Sequence, residues 1–241
     1  MEVAHQGRTG CILTTRCSLG PPIGGSRQKR TADRGRLVRT FVPYPEQKPH
    51  RLIPEARGKD PTDHSRALVK IEPFRLGEPA KGGGLPVPAL PLHPGESYFV
   101  QRGKIRPAVI LSVGGSEVPK ELRRGEPAYQ SARTLLVAPF YGGDKDGTRA
   151  GWNPEFVTRI RHAEYPQYVW DKLPLPGAEE SILRLDHIFP VGEDPGGYEL
   201  KEYRLGEDAL ALLDEWILWL FTGSLPEQSI LADIRRGLAE A

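Results

Sequence analysis

The chain has 241 residues, enough for one domain of ordinary size or for one domain with a tail. Its hydrophobic content of 38% is low for a globular protein, whereas glycine (27) and proline (24) are abundant. No apolar run approaches the roughly 18 residues of a membrane-spanning helix, and the N-terminus lacks the apolar core of a secretory signal. The two cysteines, Cys11 and Cys17, do not have the spacing of a zinc site or a disulfide framework. We therefore expect a cytoplasmic protein with no membrane association, no metal and no cofactor.

Composition changes near residue 94. Residues 1–94 contain 13 of the 24 prolines, and residues 1–68 carry 13 Lys and Arg against 6 Asp and Glu, a net charge of +7. The aromatic and aliphatic runs fall mostly after residue 94. The sequence therefore predicts a basic, Pro/Gly-rich and poorly ordered leader over residues 1–94, followed by a folded domain over residues 95–241.

Three interpretations of the leader stay open at this point. A basic arm can attract nucleic acid, such a segment can simply be a solvated extension, and the leader can be an artefact of the assigned start. Met1 is the only methionine, so a start at another codon, for example near Val69, would leave no trace in the sequence. One apolar segment of the leader, residues 67–71, predicts an edge strand that joins the folded domain.

Apolar runs separated by glycine and proline predict a series of short strands in the folded domain. The run at residues 108–112 is apolar on both faces, which is typical of a central strand. Residues 156–161 alternate between apolar and polar side chains, which predicts a half-buried strand. Further strands are predicted at residues 97–101, 135–138, 168–170, 181–186, 188–191 and 199–203, with loops at residues 102–104, 113–132 and 139–143. Many short strands of this kind predict a mainly β fold, either a small barrel or a sandwich.

Helical periodicity is confined to the end of the chain. From residue 207 to residue 221 the acidic side chains fall on one stripe, and most other positions are apolar. Such a wide apolar face fits either a core helix that lies across the sheet or a helix that also packs against a second subunit. Pro226 opens a second, amphipathic helix.

Leucines alternate with an arginine and an aspartate in the most informative segment of the chain. If this segment is a strand, Leu183 and Leu185 point into the core, while Arg184 and Asp186 lie side by side on the other face. Two rises of roughly 3.3 Å separate them by about 7 Å, a spacing at which a cation and a carboxylate can bracket a phosphate. His187 shares the parity of the two leucines, so a regular strand directs it inward.

The order of these motifs resembles the PemK/Kid/MazF family of toxin ribonucleases from toxin–antitoxin modules. The first motif is an Arg-Pro pair before an apolar strand, and the last contains the Arg-x-Asp sequence. The segments that carry the resemblance are residues 106–112, 135–139, 181–187 and 190–191. Because the long helix that follows also fits, the resemblance covers roughly residues 95–222.

The resemblance implies a compact SH3-like β-barrel with C-terminal helices, usually assembled as a homodimer. It implies metal-independent cleavage of single-stranded RNA, the activity of an mRNA interferase, and inhibition by a cognate antitoxin protein. Members of the Kid type use the arginine and the aspartate of an Arg-x-Asp strand in catalysis, and Arg184 and Asp186 occupy that motif here. Arg106 matches a second functional position of the family and completes the candidate catalytic set.

The chain departs from the family pattern at three places. Phe140-Tyr141 stands where the family has Thr-Ser or Ser after the proline, so a hydroxyl is present on a much larger side chain. Only residues 102–105 connect the first two predicted strands, where the family has a long substrate-binding loop with a histidine. His187 stands where the family often has glutamine. These differences bear on substrate preference and on catalysis.

The chemistry of the candidate catalytic residues favours electrostatic roles. Arginine is a poor proton donor because its pKa exceeds about 12, so Arg184 and Arg106 are expected to clamp the phosphate. Asp186 is the candidate base. This role requires a raised pKa, because an unshifted carboxylate is a weak base at pH 7.

Lys104, Tyr141 and His187 are the candidate substrate-binding residues. Lys104 adds a third positive charge, and the Tyr141 ring can stack on a splayed base, as aromatic side chains do with single-stranded RNA. The competing hypothesis is a catalytically silent barrel that binds nucleic acid or protein. In that case Arg184 and Asp186 form only a surface ion pair worth under about 1 kcal/mol. Convergence of the two arginines, Asp186 and Tyr141 on one groove would favour the enzyme.

Overall fold

The computed structural model describes residues 31–60, 62–78, 87–93, 95–127, 130–143, 151–175, 180–192 and 196–239. The chain divides into a smaller unit, Val42–Lys104, and a larger unit formed by the chain up to Phe41 and from Ile105 onward. The strands within the described residues are β1 (Arg36–Pro43), β2 (His50–Arg57), β3 (Ala67–Pro73), β4 (Tyr98–Val100), β5 (Gly103–Ser112), β6 (Thr134–Gly142), β7 (Tyr168–Asp171), β8 (Ser181–Arg184), β9 (Phe189–Gly192) and β10 (Tyr198–Arg204). The helices are α1 (Lys120–Arg123), α2 (Pro154–Arg161), α3 (Glu207–Thr222) and α4 (Ile230–Ala239). The fold is therefore mainly β with C-terminal helices, as the sequence predicts.

A seven-stranded sheet forms the frame of the larger unit. Its strand order is β10-β1-β5-β6-β8-β7, and β9 also pairs with β6. The β5–β6, β6–β8 and β7–β8 pairs are antiparallel. Within the described part of the chain, the outermost strands β10 and β7 do not pair with each other, so the sheet does not close into a barrel. The strand order is compatible with a partly open barrel.

The smaller unit contains a three-stranded sheet with the order β3-β2-β4. The central strand β2 pairs antiparallel with both neighbours. Arg51 on β2 is only 6% exposed, and its guanidinium binds the Glu72 carboxylate of β3 at 3.2 Å. β3 is an edge strand, as predicted for residues 67–71, but it pairs with β2 and not with a strand of the predicted folded domain.

Strands β1, β2 and β3 lie inside the segment that the sequence assigns to a poorly ordered leader, so the predicted boundary at residue 94 needs correction. β1 lies between β10 and β5 in the larger sheet, and Val38 and Val42 are at most 1% exposed. The sequence signal for this strand is the alternation of Val38, Thr40 and Val42. Composition obscures the signal, because basic residues and prolines surround it.

Other parts of the predicted leader lie outside the described residues, namely residues 1–30, which include both cysteines, and residues 79–86. A start near Val69, the third interpretation of the leader, would remove β1 from between β10 and β5 and β2 from the centre of the smaller sheet.

The central strands follow the apolar runs of the sequence. β5 is confirmed as a central strand, since Ala108, Val109 and Ile110 are at most 1% exposed. β6 begins as predicted but continues through residues 139–142, where the sequence predicts a loop. Pro139 lies where β6 changes partner, because its earlier residues pair with β9 and its later residues pair with β8. A proline is tolerated more easily at such a break in the hydrogen-bond ladder.

The strand predicted at residues 156–161 is wrong, because these residues lie in helix α2. The Asn153 side chain accepts hydrogen bonds from two backbone N–H groups of the first turn, at 2.9 and 3.4 Å, and Pro154 is the first helical residue. This Asn-Pro start favours a helix and outweighs the alternating pattern. The buried side chains of α2, Val157 and Ile160, are spaced by three residues, which is a helical repeat.

Helix α3 confirms the long C-terminal helix and its core position. Leu213 and Trp216 are fully buried, and the helix ends at Gly223, whose φ of 76° is left-handed. Leu218 and Phe221 remain 42% and 74% exposed, so packing of α3 against a second subunit stays a prediction. Among the described helices, none combines the length and the apolar character needed to cross a membrane.

The side chains of β8 enter two different cores, and this decides which face of the sheet carries the candidate site. Leu183 belongs to the apolar cluster under α3, and Ile182 belongs to the cluster under α2. Arg184 lies two residues beyond Ile182 and therefore shares its face. The functional side chains at the end of β8 consequently border the α2 side of the sheet.

Candidate active site

Strand register brings four side chains of four strands to the same face of the sheet. Extension of the β5–β6 register places Arg106 opposite Tyr141. The β7–β8 register places Tyr168 directly opposite Arg184. Since paired residues share a face, the arginines and tyrosines project to one side. The guanidinium carbon of Arg106 lies 4.1 Å from the centroid of the Tyr141 ring, which confirms the arrangement.

The strand that carries Arg184 ends earlier than the sequence predicts. β8 stops at Arg184, and Leu185–His187 form one turn of 3-10 helix. Within this turn Leu185 points into the core, where it is 1% exposed, and its N–H donates to a carbonyl just before β7 at 2.9 Å. The turn brings Asp186 and His187 back to the side of Arg184. The strand is therefore not regular at His187, and the condition under which His187 was expected to point inward is not met.

Arg184 and Asp186 form a two-point ion pair. Nε of Arg184 donates to Oδ1 of Asp186 at 2.7 Å, and Nη2 donates to Oδ2 at 2.6 Å. The two side chains are 17% and 28% exposed, so solvent screens the pair only partly. Burial by itself lowers the pKa of Arg184, but the hydrogen bond and the charge of Asp186 outweigh this effect, and the pKa lies above its ordinary value. Arg184 is consequently a permanent cation.

His187 makes polar contacts through both ring nitrogens. Nδ1 lies 2.9 Å from Oη of Tyr141, and Nε2 lies 2.5 Å from Nη2 of Arg184. The side chain is 11% exposed, and Nε2 lies 4.0 Å from Oδ2 of Asp186. The imidazole therefore belongs with the charged groups at the end of β8 and not with the apolar core.

Aromatic rings surround the guanidinium group of Arg184. Its central carbon lies 5.6 Å from the ring centroid of Tyr141, 5.1 Å from that of Tyr168 and 5.8 Å from that of Trp152. Rings at this distance attract a cation and restrict its position. Tyr168 and Trp152 are not among the residues that the sequence singles out. The signal for Tyr168 is its place opposite Arg184, which requires the strand pairing to be known.

We refer to Arg106, Tyr141, Arg184, Asp186 and His187 as the polar cluster. With the imidazole counted as neutral, two arginines and one carboxylate give the cluster a formal charge of +1, which favours an anionic ligand. The planar guanidinium groups match the geometry of a phosphate. Among the described residues, no group of three or more His, Cys, Asp or Glu side chains is arranged to hold a metal ion.

Lys104 is the one candidate site residue outside the larger unit. It lies on β5 just before the boundary between the two units, and its side chain is exposed. The expectation that Lys104 adds a third charge to the site stays a prediction.

Comparison with known proteins does not assign the chain to a family. No protein-family model matches the chain, and no curated protein matches it at a significant level. The resemblance to the PemK/Kid/MazF family therefore rests on the sequence motifs alone.

Proposed function

We propose that the protein is a metal-independent endoribonuclease of the PemK/Kid/MazF type that cleaves single-stranded RNA. The observation that supports the proposal best is the convergence of side chains from β5, β6 and the end of β8 into the polar cluster. Arg106 and Arg184 both lie against the Tyr141 ring, and Asp186 and His187 contact Arg184. Such a group of cations beside a titratable imidazole suits phosphodiester chemistry.

The two arginines bind the scissile phosphate and stabilise the charge that develops on it. Hydrogen bonds from guanidinium groups to phosphate are charge-assisted and strong. Because both of its oxygens accept hydrogen bonds from Arg184, Asp186 is proposed to position that arginine. The role of general base that the sequence assigns to Asp186 is therefore not part of the proposal.

The aromatic side chains favour single-stranded RNA as the substrate. Tyr141, Tyr168 and Trp152 are half-buried and adjoin the Arg184 guanidinium, where they can stack on bases that are splayed out of a strand. The family resemblance adds a homodimer, a cytoplasmic location and a cognate antitoxin protein to the proposal.

Cleavage of a fluorescent single-stranded RNA by the purified full chain in the presence of EDTA tests the proposal. We expect Arg184→Ala, Arg106→Ala and Asp186→Ala each to slow cleavage by at least about 100-fold. Arg236→Ala is the control, because Arg236 also pairs with an aspartate, Asp233, but in an exposed ion pair on α4 that is not part of the polar cluster. The control should keep full activity. A wild-type protein that cuts no RNA and causes no growth arrest on induced expression would refute the proposal.

The second candidate is a silent module that binds RNA without cutting it. The observation in its favour is that Arg184 donates to both oxygens of Asp186 and contacts Nε2 of His187. These contacts occupy the side-chain atoms that RNA cleavage would need. Tyr141 also fills the position where the family has a small hydroxyl residue. Fluorescence anisotropy of a labelled RNA separates the two candidates. With a silent module the anisotropy stays constant after binding, whereas with an enzyme it falls as the RNA is cut and its fragments dissociate.

A further inference from the structure

Strand β3 leaves one edge of the smaller sheet open. Within the described part of the chain it pairs with β2 alone, and this ladder is regular from Pro73 to Val69. The backbone N–H of Phe74 donates to the Pro49 carbonyl at 3.0 Å, so the polar backbone groups of Phe74 point toward the β2 side. Because these groups alternate sides along a strand, those of Val69, Ile71 and Pro73 point away from β2. Pro73 has no N–H, and a proline is tolerated on such an edge.

Apolar side chains of β3 are exposed on both faces of the smaller sheet. Val69 and Ile71 lie on one face and are 40% and 56% exposed, while Leu68 lies on the other face and is 54% exposed. Lys70 shares the face of Leu68, and its Nζ binds the Glu72 carboxylate of the same strand at 2.7 Å. A lysine on an edge strand usually keeps other strands away. Here its charge is balanced within the strand, so this protection is weakened.

We propose that β3 pairs antiparallel with β3 of a second copy of the chain, around a two-fold axis that passes through Ile71. The proposal does not depend on the ribonuclease function. Ile71 then lies opposite Ile71 of the second copy, and the two residues exchange both of their backbone hydrogen bonds. The N–H of Val69 donates to the carbonyl of Pro73 of the second copy. The smaller sheets of the two copies thereby join into one continuous sheet.

Charge selects this register among those that the backbone allows. Outward-facing residues must lie opposite each other, so the axis passes through a residue and not between two residues. With the axis at Ile71, Lys70 lies opposite Glu72 of the second copy, and each charge has an opposite charge both beside it and across from it. An axis at Lys70 or at Glu72 would place like charges directly opposite each other, which is destabilising. An axis at Val69 would place Lys70 opposite an apolar residue, Leu68.

The apolar side chains match in the same register. Leu68 lies opposite Phe74 of the second copy, Val69 lies opposite Pro73 of the second copy, and the two Ile71 side chains meet at the axis. Opposed residues of an antiparallel pair have Cβ atoms about 4.5–5.5 Å apart, close enough for these side chains to cover one another. Removal of exposed apolar surface from water favours the association.

Cysteine cross-linking of the full chain tests the register. Cys11 and Cys17 are first replaced by serine, so that the introduced cysteine is the only thiol. Cα atoms of a hydrogen-bonded antiparallel pair are about 5.5 Å apart, which a disulfide can span. Ile71→Cys should therefore form a disulfide-linked dimer under mild oxidation. Val69→Cys is the matched control, because residue 69 is exposed on the same face but lies about 13 Å from its counterpart, and it should give at least about tenfold less covalent dimer.

Sedimentation equilibrium measures the contribution of charge to the association. Lys70→Glu places like charges opposite each other on both sides of the axis and should weaken dimerisation of the full chain by about tenfold. Lys59→Glu makes the same charge change at an exposed residue outside β3 and should leave the dimerisation constant unchanged. Phe221→Ser alters the exposed face of α3, the other predicted contact with a second subunit, and should also leave it unchanged.

Each alternative gives a different result. Equal cross-linking of Ile71→Cys and Val69→Cys would reflect chance encounters and would overturn the proposed register. Equal weakening by Lys70→Glu and Lys59→Glu, or a dimer that only Phe221→Ser dissociates, would overturn the proposed surface. A chain that stays monomeric at the highest concentration measured, with no cross-linking of Ile71→Cys, would refute the proposal as a whole. None of these measurements involves RNA, so the proposed ribonuclease function succeeds or fails separately.

Discussion

Replacement of Asp186 by asparagine should strengthen RNA binding while it slows cleavage. Asp186 now neutralises Arg184, and its two oxygens occupy two of the donors that a phosphate would use. Asp186→Asn keeps the shape of the side chain and removes the charge. The formal charge of the polar cluster rises from +1 to +2, and the guanidinium group becomes more available to a ligand.

The expected magnitude follows from the geometry. A carboxylate about 7 Å from a bound phosphate repels it by about 2 kcal/mol at an effective dielectric constant of about 20. Salt screening at a site that is partly exposed reduces this to about 1 kcal/mol, or roughly fivefold in Kd. One additional arginine that neutralises a phosphate should also steepen the plot of log Kd against log salt by about 0.7. Cleavage should slow, because Arg184 loses the carboxylate that orients it.

Binding is measured by fluorescence anisotropy with 2′-O-methylated RNA, which lacks the nucleophile and is not cleaved, over a series of KCl concentrations. Asp233→Asn is the matched control, because it neutralises the carboxylate of an exposed Arg–Asp pair on α4. The control should leave both Kd and the salt dependence unchanged. If Asp186→Asn weakens binding as much as Arg184→Ala does, Asp186 serves to position Arg184 and does not compete with the ligand, and the electrostatic reasoning is wrong.

Two further predictions concern the titration of Arg184 and the backbone just after β5. The pKa of Arg184 is raised, so the stability and affinity that its charge supplies are present below its ordinary pKa and are lost only as the pH rises through the higher value in the folded protein. Binding of the 2′-O-methylated RNA should therefore stay constant from about pH 7 to 9, and a midpoint in this range that Arg184→Ala abolishes would contradict the assignment. Gly114→Ala should lower the free energy of unfolding by more than about 1 kcal/mol relative to Gly115→Ala, measured by chemical denaturation. Both glycines have a positive φ, but only the Cβ of residue 114 would lie 2.6 Å from the carbonyl oxygen of Thr134. Equal losses would show that this close approach does not matter.

Local sequence pattern is sufficient for much of the fold. The apolar runs predict β5, the start of β6, β7 and β10, and the wide apolar face predicts α3, because burial imposes a regular spacing on each element. The strand predicted at residues 156–161 fails for an equally local reason. Alternation over six residues fits a strand and a short helix alike, and the Asn153 cap with Pro154 decides between them.

The candidate site was only partly accessible from the sequence. Arg184 and Asp186 are two residues apart, so the sequence predicts that they are neighbours, but the prediction that they share a regular strand is wrong, because a 3-10 turn brings Asp186 to Arg184. Arg106 and Tyr141 meet because β5 pairs with β6. The short connection between the first two predicted strands is confirmed, since only Gln101 and Arg102 separate β4 from β5. The two strands belong to different sheets, however, and the neighbours of β5 in its own sheet are β1 and β6.

The sequence by itself determines the mainly β character and the C-terminal helices. These features depend on spacing within a few residues, and hydrophobic burial and short-range hydrogen bonds act at that range. Only the tertiary structure decides that β1 belongs to the larger sheet and that His187 meets Tyr141, a residue 46 positions away. Strand pairing and a single 3-10 turn produce that contact, and neither leaves a periodic signal in the sequence.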